Sequence, residues 1–269
     1  MEFKNVRLSK WSDIHEYSRR EWVYRGEHCS GRELKVSLER SCDRHKVPTV
    51  KRREIEDALF REFRRAYHQY ATHVPGPKSV VEWLSLMQHH GAPTRLLDFS
   101  YSLYIAAYFA VESGEDDCAV WAVRAPWALD ESTTLLRNAG KSNVERMKKR
   151  FIEGDEEVVQ ALFFEAPYVR AAWPINAFRL NERLRIQEGV FLIPGDVSES
   201  FVNNLRALPG YDLQDNVLEI VIPGTERAKA LENLFQMGIS RTSLFPGLDG
   251  FARSLDIYHP VVHNPIGWA

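Results

Sequence analysis

Two hydrophobic periods alternate along this chain. EWVYRG, Glu21 to Gly26, reads as a short strand closed by glycine, with Trp22 and Tyr24 on one face and Val23 and Arg25 on the other. Lys51 to Val74 reads as a helix, because Phe60, Phe63, Tyr67, Tyr70 and Val74 recur at three- and four-residue steps and make one apolar stripe. Arg61, Arg64, Arg65 and His68 fall mostly off that stripe and read as a solvated face rather than a nucleic-acid contact. A second helix spans Ser79 to His90. Ser79 and Glu82 have capping-box spacing, Val80, Leu84 and Met87 face inward, and Gly91 stops it.

Pro93 then pushes Ala92 into an extended conformation, and Leu96 to Phe99 reads as a strand. Ser100 or Ser102 caps a helix whose Ala106, Ala107 and Ala110 let a neighbour pack close. CAVWAV, Cys118 to Val123, is apolar on both faces and predicts a central strand. Pro126 to Glu157 has the least pattern. With a basic block at Lys148 to Arg150 and an acidic one at Asp155 to Glu157, it reads as a surface helical insertion or a lid. LRIQEGVFLI, Leu184 to Ile193, reads as a strand broken at Gly189, a bulge or a close backbone approach. In that register Leu184 and Ile186 face one way, Arg185 and Gln187 the other, and Glu188 points away from Gln187 unless the glycine makes a bulge. Val217 to Ile222 is a further buried strand, and Thr225 caps a helix ending near Gly238. LFPGLDGFARSL closes the pattern with a helix packed through Phe251 and Leu255. No repeat, low-complexity tract or Pro/Gly/Ser linker interrupts this order. The expectation is one compact α+β domain over residues 1–269, with its core at about 22–258 and the insertion at 126–157.

Composition narrows the class little. The chain is 44% apolar and 27% charged, which excludes disorder and collagen-like repeats. Its 35 Lys+Arg against 37 Asp+Glu leave a net charge of −2, so no global field draws it to nucleic acid or membrane, while a local basic groove stays open. MEFKNVRLSKWSD carries no apolar signal segment, and no apolar run is long enough to span a bilayer. Cys29, Cys42 and Cys118 are odd in number and irregularly spaced, which reads as reduced thiols. A cytoplasmic protein with no membrane partner is expected.

The motifs GxGxxG, GxxxxGK[ST], GxSxG, HExxH and CxxC are absent. The pairs Cys42/His45, His89/His90 and His259/His263 lack a CxxC partner, so no metal site is expected. One dense polar run remains. QHHGAPTRLLDFS, Gln88 to Ser100, sets His89, Thr94, Arg95, Asp98 and Ser100 around a proline turn. Either this is a ligand site, or an Arg95–Asp98 or Arg25–Asp98 pair fixes the turn.

VYRG at Val23 to Gly26, QHHGAPTRLLDFS, AAYFA at Ala106 to Ala110, RLRIQEGVF at Arg183 to Phe191 and the tail LFPGLDGFARSL resemble the FRG domain. The family takes its name from an [FY]RG-type motif, and the resemblance runs from about Trp22 to Tyr258. His90 stands where an aromatic is usual and Phe99 where tryptophan is usual; both swaps keep a flat ring. FRG domains are found in bacteria and phages, some in settings that suggest toxins or anti-phage defence.

A second resemblance is to ADP-ribosyltransferases of the arginine–serine–glutamate type. Tyr24-Arg25-Gly26 is similar to their first strand, and Asp98-Phe99-Ser100 followed by Ala106 and Phe109 is similar to their S-T-S strand and the A-x-x-F helix after it. IQEGVFLIP falls where their glutamate strand ends in L-I-P. The resemblance implies an ADP-ribosyltransferase-like fold with a mixed, split β-sheet flanked by helices. It also implies NAD as substrate, with Arg25 on a phosphate, Ser100 orienting that strand or the ribose, and Gln187 or Glu188 at the ribose 2′-hydroxyl as nicotinamide leaves and an oxocarbenium-like ribose forms. Tyr24, Gly26, His89, Thr94, Arg95 and Asp98 would line the ligand. The partners expected are a nucleotide or NAD, a protein or nucleic-acid acceptor, and a neutralising protein. Three other readings stay open: a phosphotransferase-like variant using Arg25, Arg95 and Arg185; a non-catalytic nucleotide or nucleic-acid sensor; and a structural polar cluster with function elsewhere.

Overall fold

β4 (Cys118–Arg124) occupies the middle of a seven-stranded sheet because both its faces are apolar: every residue from Cys118 to Val123 is buried. The computed structural model of the chain describes residues 2–71, 74–113, 116–149, 156–177 and 182–255. The sheet runs in the order β1 (Lys4–Arg7), β7 (Val217–Ile222), β4, β2 (Trp22–Glu27), β3 (Leu97–Ser100), β6 (Gly189–Pro194) and β5 (Ala172–Ile175). β1 and β7 are parallel; the other neighbouring pairs are antiparallel. This is a mixed sheet in an α+β protein, as expected. β2 pairs with β4 along its whole length, but with β3 only at Tyr24 opposite Ser100. The sheet is therefore almost divided between β2 and β3.

The strand alternation read at EWVYRG holds. Trp22 and Tyr24 join one core with α4 (Leu103–Val111), α10 (Arg227–Gln236) and Leu244 of α11 (Arg241–Leu244). Val23 joins a second core with α1 (Ser37–Arg44), α5 (Ala125–Asn138) and α9 (Phe201–Arg206). A third core lies against β5 and β6 and takes in α3 (Val80–His89), α6 (Val144–Lys149), α7 (Glu156–Val159) and Leu184 of α8 (Glu182–Ile186). α2 (Arg52–Tyr67) packs Phe60 and Phe63 onto it, and α12 (Leu248–Ser254) is the last described helix.

α4 crosses β2 where Gly26 lies. A Cβ there would sit 2.1 Å from the Ala106 carbonyl oxygen and 2.5 Å from the Ala110 nitrogen. Glycine on the strand and alanines on the helix are the two halves of one close approach. Ser102 starts α4 by accepting a hydrogen bond from the Ile105 N–H, so of the two serines offered by the sequence Ser102 is the cap. Gly91 ends the region after α3 at φ +83, as a residue past a helix end does.

Several expectations need correction. The helix read to Val74 ends at Tyr67. Tyr70 is 83% exposed, because the stripe outruns the surface it packs on, where Tyr67 meets Trp83 edge-on at 5.3 Å. Ser79 stands at the start of α3 without a side-chain cap bond, so its box with Glu82 is not made in the expected way. The segment 126–157 is helical but not all peripheral: α5 buries Trp127, Ala128, Ser132, Thr133 and Leu136, with the Ser132 hydroxyl donating to the Ala172 carbonyl. Arg150 and Asp155 lie outside the described residues. Thr225 sits in a 3-10 turn, Gly224–Glu226, and does not cap α10. Phe251 and Leu255 are both 53% exposed rather than packed inward.

The largest difference concerns Leu184 to Ile193. Glu182–Ile186 is a helix, and the strand begins only at Gly189. ERLRI is built of good helix formers. Gly189 lets that helix fold back on the strand, since a Cβ there would meet Leu184 Cδ1 at 2.1 Å. Gln187 and Glu188 form the turn between them, Glu188 at φ +47. The strand-register contrast between Gln187 and Glu188 therefore does not apply.

Cys29, Cys42 and Cys118 are free thiols. Among the described residues no helix is long and apolar enough to cross a membrane, and no group of three or more His, Cys, Asp or Glu residues is placed to hold a metal ion.

Candidate functional site

Where β2 and β3 part, a cleft of about 280 Å³ opens, floored by β2, β3 and the start of β6 and walled by α3, α4 and α8. Arg25 comes from β2, Asp98 and Ser100 from β3, Gln88 and His89 from the end of α3, Arg183 from α8 and Gln187 from the turn. Pairing alone sets this arrangement: Tyr24 faces Ser100 across β2 and β3, and Ser100 faces Gly189 across β3 and β6.

Arg25 and Glu27 stand two apart on β2 and so share a side. The Arg25 Nε–H donates to Glu27 Oε1 at 2.8 Å and an Nη1–H to the Asp98 carbonyl at 2.9 Å. Its Nη2 has no hydrogen-bond partner among the described residues. Thus Arg25 bridges the two strands where their ladder stops, and the pair that fixes it is with Glu27, not with the Asp98 carboxylate. Asp98 is exposed and accepts a bond from Gln88 Nε2 at 2.7 Å. Gln88 in turn accepts from the Thr94 hydroxyl. Thr94 is fully buried and tied to Ser37, its N–H donating to the Ser37 hydroxyl at 2.9 Å. Thr94 therefore supports the cleft from behind and does not line it.

Ser100 donates to the Gln187 carbonyl at 2.8 Å and accepts from the Ser102 N–H at 3.0 Å. Gln187 Nε2 donates to the Leu244 carbonyl at 3.1 Å, which ties the turn to α11. Glu188 is exposed and is not part of the cleft lining. Tyr24 lines the cleft with its ring, but its hydroxyl donates to the Tyr17 carbonyl and accepts from the Arg19 N–H, both at 2.8 Å. Gly26 contributes backbone space. His89 is held below the ordinary histidine pKa by burial first, then by His90 and Arg183.

Arg95 is elsewhere. It is 1% exposed, donates through Nε and Nη2 to both carboxylate oxygens of Glu56, gives Nη1 to the Phe163 carbonyl at 2.7 Å and stacks on Phe164 at 3.9 Å. Of the two pairs the sequence offered for the proline turn, neither Arg95–Asp98 nor Arg25–Asp98 forms between side chains. Arg185 does not line the cleft either. Residues that line it and that the sequence did not put forward as site residues include Ser85, Gln88, Phe109, Arg183 and Leu184. Gln88 had a signal, standing beside His89 at the end of an amphipathic helix. Arg183 opened the RLRIQEGVF motif, but with the strand read from Leu184 nothing turned its side chain toward a site.

A second, more open cavity of about 720 Å³ shares Arg25, Gly26 and Phe109 with the first. It runs from Glu27 along the loop to α1 and carries His28, Arg32, Lys35, Arg40 and Arg44.

Chemically, the cleft offers two arginines, Arg25 with an unused donor group and Arg183 stacked on Phe245 at 4.5 Å, one exposed carboxylate, a histidine biased to neutrality and two amides. That set suits a polar, phosphate-bearing ligand.

Comparison with curated proteins and with solved structures found no match to this chain. The RLRIQEGVF stretch and the LFPGLDGFARSL tail lie outside the residues that a family model does match. Those matched residues, 20–118, hold the arginine strand, the proline turn, the Asp98–Ser100 strand and the alanine helix of the cleft, and over them this chain carries an FRG domain.

Proposed function

We propose that the cleft binds NAD and that the protein is an ADP-ribosyltransferase-like enzyme, a transferase or a NAD glycohydrolase acting in the cell as a toxin or anti-phage defence effector. The observation that carries this reading is the neighbouring placement of β2, β3 and the turn into β6, with Arg25, Ser100 and Gln187 on one cleft. Along the chain these residues follow the order that the resemblance to arginine–serine–glutamate transferases implies, and their meeting on one cleft supports the reading. In the reaction the ribosyl C1′–nitrogen bond breaks, its electron pair leaves on nicotinamide, and the acceptor atom bonds C1′ as it loses its proton. Arg25 fits a phosphate through its unpaired Nη2. Asp98 is the cleft carboxylate suited to facing the positive charge that develops on the ribose. Ser100 and Gln187 act as positioning residues through the Gln187 carbonyl.

The test is nicotinamide release from NAD by the purified protein, with and without cell extract, and with Arg25→Ala as the control. Release that requires Arg25 supports the reading; absence of release, with no NAD-induced rise in melting temperature, overturns it. A second reading, a nucleotide-sensing module without turnover, is favoured by one observation. Glu188 is outside the cleft lining and Gln187 is engaged with Leu244, so no carboxylate from that turn enters. NAD stabilising the fold without nicotinamide release would select it.

A further inference from the structure

The open cavity beside the cleft has a charge imbalance that the fold does not neutralise. Its lining holds Arg25, Arg32, Lys35, Arg40 and Arg44 against Glu27, Glu33 and Asp43. Two of the three acids are engaged: Glu27 by Arg25, and Asp43 by Lys35 and Arg52, each at 2.8 Å. Arg32 donates to His28 at 3.0 Å, a partner that supplies no negative charge. Arg40 is half-buried and donates to the Lys35 carbonyl. Among the described residues it has no carboxylate partner, and Arg44 has none either. Burial lowers the pKa of Arg40, and so do the fields of Arg25 and Arg32, against the opposing fields of Glu27 and Asp98. Like charges gathered in this way are relieved by an anion that touches several of them.

The cations line a cavity more than twice the volume of the cleft and extend from Arg25 out to Arg44 on α1. Phosphates repeated along a strand match that spread better than the two adjacent phosphates of a dinucleotide. Phe109, shared by both cavities, supplies an aromatic side chain at their junction. We propose that this groove binds the backbone of a single-stranded nucleic acid through Arg40, Arg44 and Arg32, and leads the strand toward the cleft at Arg25. The protein's net charge of −2 confines this attraction to the groove.

The test measures anisotropy of a fluorescent oligothymidylate and an oligouridylate with the full chain, in the absence of NAD, so that its outcome is separate from any turnover in the cleft. Binding is expected at low salt. It should weaken at least tenfold in Arg40→Ala and in Arg32→Glu/Arg44→Glu, and the slope of log affinity against log salt should fall by about 0.7 for each phosphate contact removed. Arg32 and Arg44 are exposed, so the double variant keeps the test valid if Arg40→Ala fails to fold. Absence of binding overturns the proposal, as does binding that both variants retain. Equal displacement by pyrophosphate or by a polyglutamate peptide at matched charge also overturns it, because the groove would then be a general anion site.

Discussion

The Ser100 hydroxyl donates to the backbone carbonyl of Gln187, 87 residues away, at 2.8 Å, and so fastens the end of β3 to the turn that opens β6. The same oxygen accepts the Ser102 N–H at the start of α4. One side chain therefore joins strand, turn and helix at the edge of the cleft. Ser100→Ala leaves both backbone groups without it. The expected loss is about 1–3 kcal/mol, read as a lowered melting temperature, with weaker ligand stabilisation.

Gly26→Ala should be far more damaging. Its Cβ would fall within 2.1 Å of the Ala106 carbonyl oxygen, backbone that moves only if α4 moves. We expect loss of cooperative unfolding, or a destabilisation of about 3 kcal/mol or more, by denaturant titration. Gly31→Ala, where a Cβ meets nothing within 4 Å but φ is +72, should cost only about 1–2 kcal/mol.

Arg95 belongs to stability. Arg95→Ala strands the buried Glu56 carboxylate, an effect of about 3–5 kcal/mol. Arg95→Met combined with Glu56→Leu should recover much of that loss, since both charges leave together. Urea midpoints of the single and double variants check this, and a double variant no better than Arg95→Ala would contradict it.

His89 gives the protein a pH response of known sign. Its folded-state pKa is held below the ordinary 6.5 by burial, His90 and Arg183. In the window between that depressed value and 6.5 the unfolded chain binds more protons. Its contribution to stability is thus complete above 6.5 and lost as pH falls through the window. His89→Asn should flatten the slope of melting temperature against pH just below 6.5. An anionic ligand in the cleft should raise the His89 pKa, which NMR titration would follow.

The two acids near the turn should separate. Under the proposed NAD chemistry, Asp98→Asn is expected to reduce nicotinamide release by about a hundredfold, because Asp98 lines the cleft. Glu188→Gln should leave release unchanged, because its side chain is exposed outside that lining. A collapse in Glu188→Gln with Asp98→Asn intact would move the reacting charge to the turn.

Much of the frame was legible in residue order. β4, β7 and the alternation of β2 follow from local periodicity, because a strand's two faces are written two residues apart. The alanines of α4 announced a close approach without naming its partner; Gly26 read only as the end of a strand that in fact runs on to Glu27. Contacts with no local signature were not legible. Arg95 and Glu56 lie 39 positions apart, and nothing in TRLLD tells a buried structural arginine from a ligand-binding one. ERLRI was misread because five residues are too few for a period to distinguish helix from strand, and a glycine's contact three-dimensionally behind it broke the tie. Which polar groups face the cleft depends on the single Tyr24–Ser100 pairing, which lets β2 and β3 diverge. Ladder length between distant strands is set by what packs on both faces at once, a global balance of burial that local sequence does not contain.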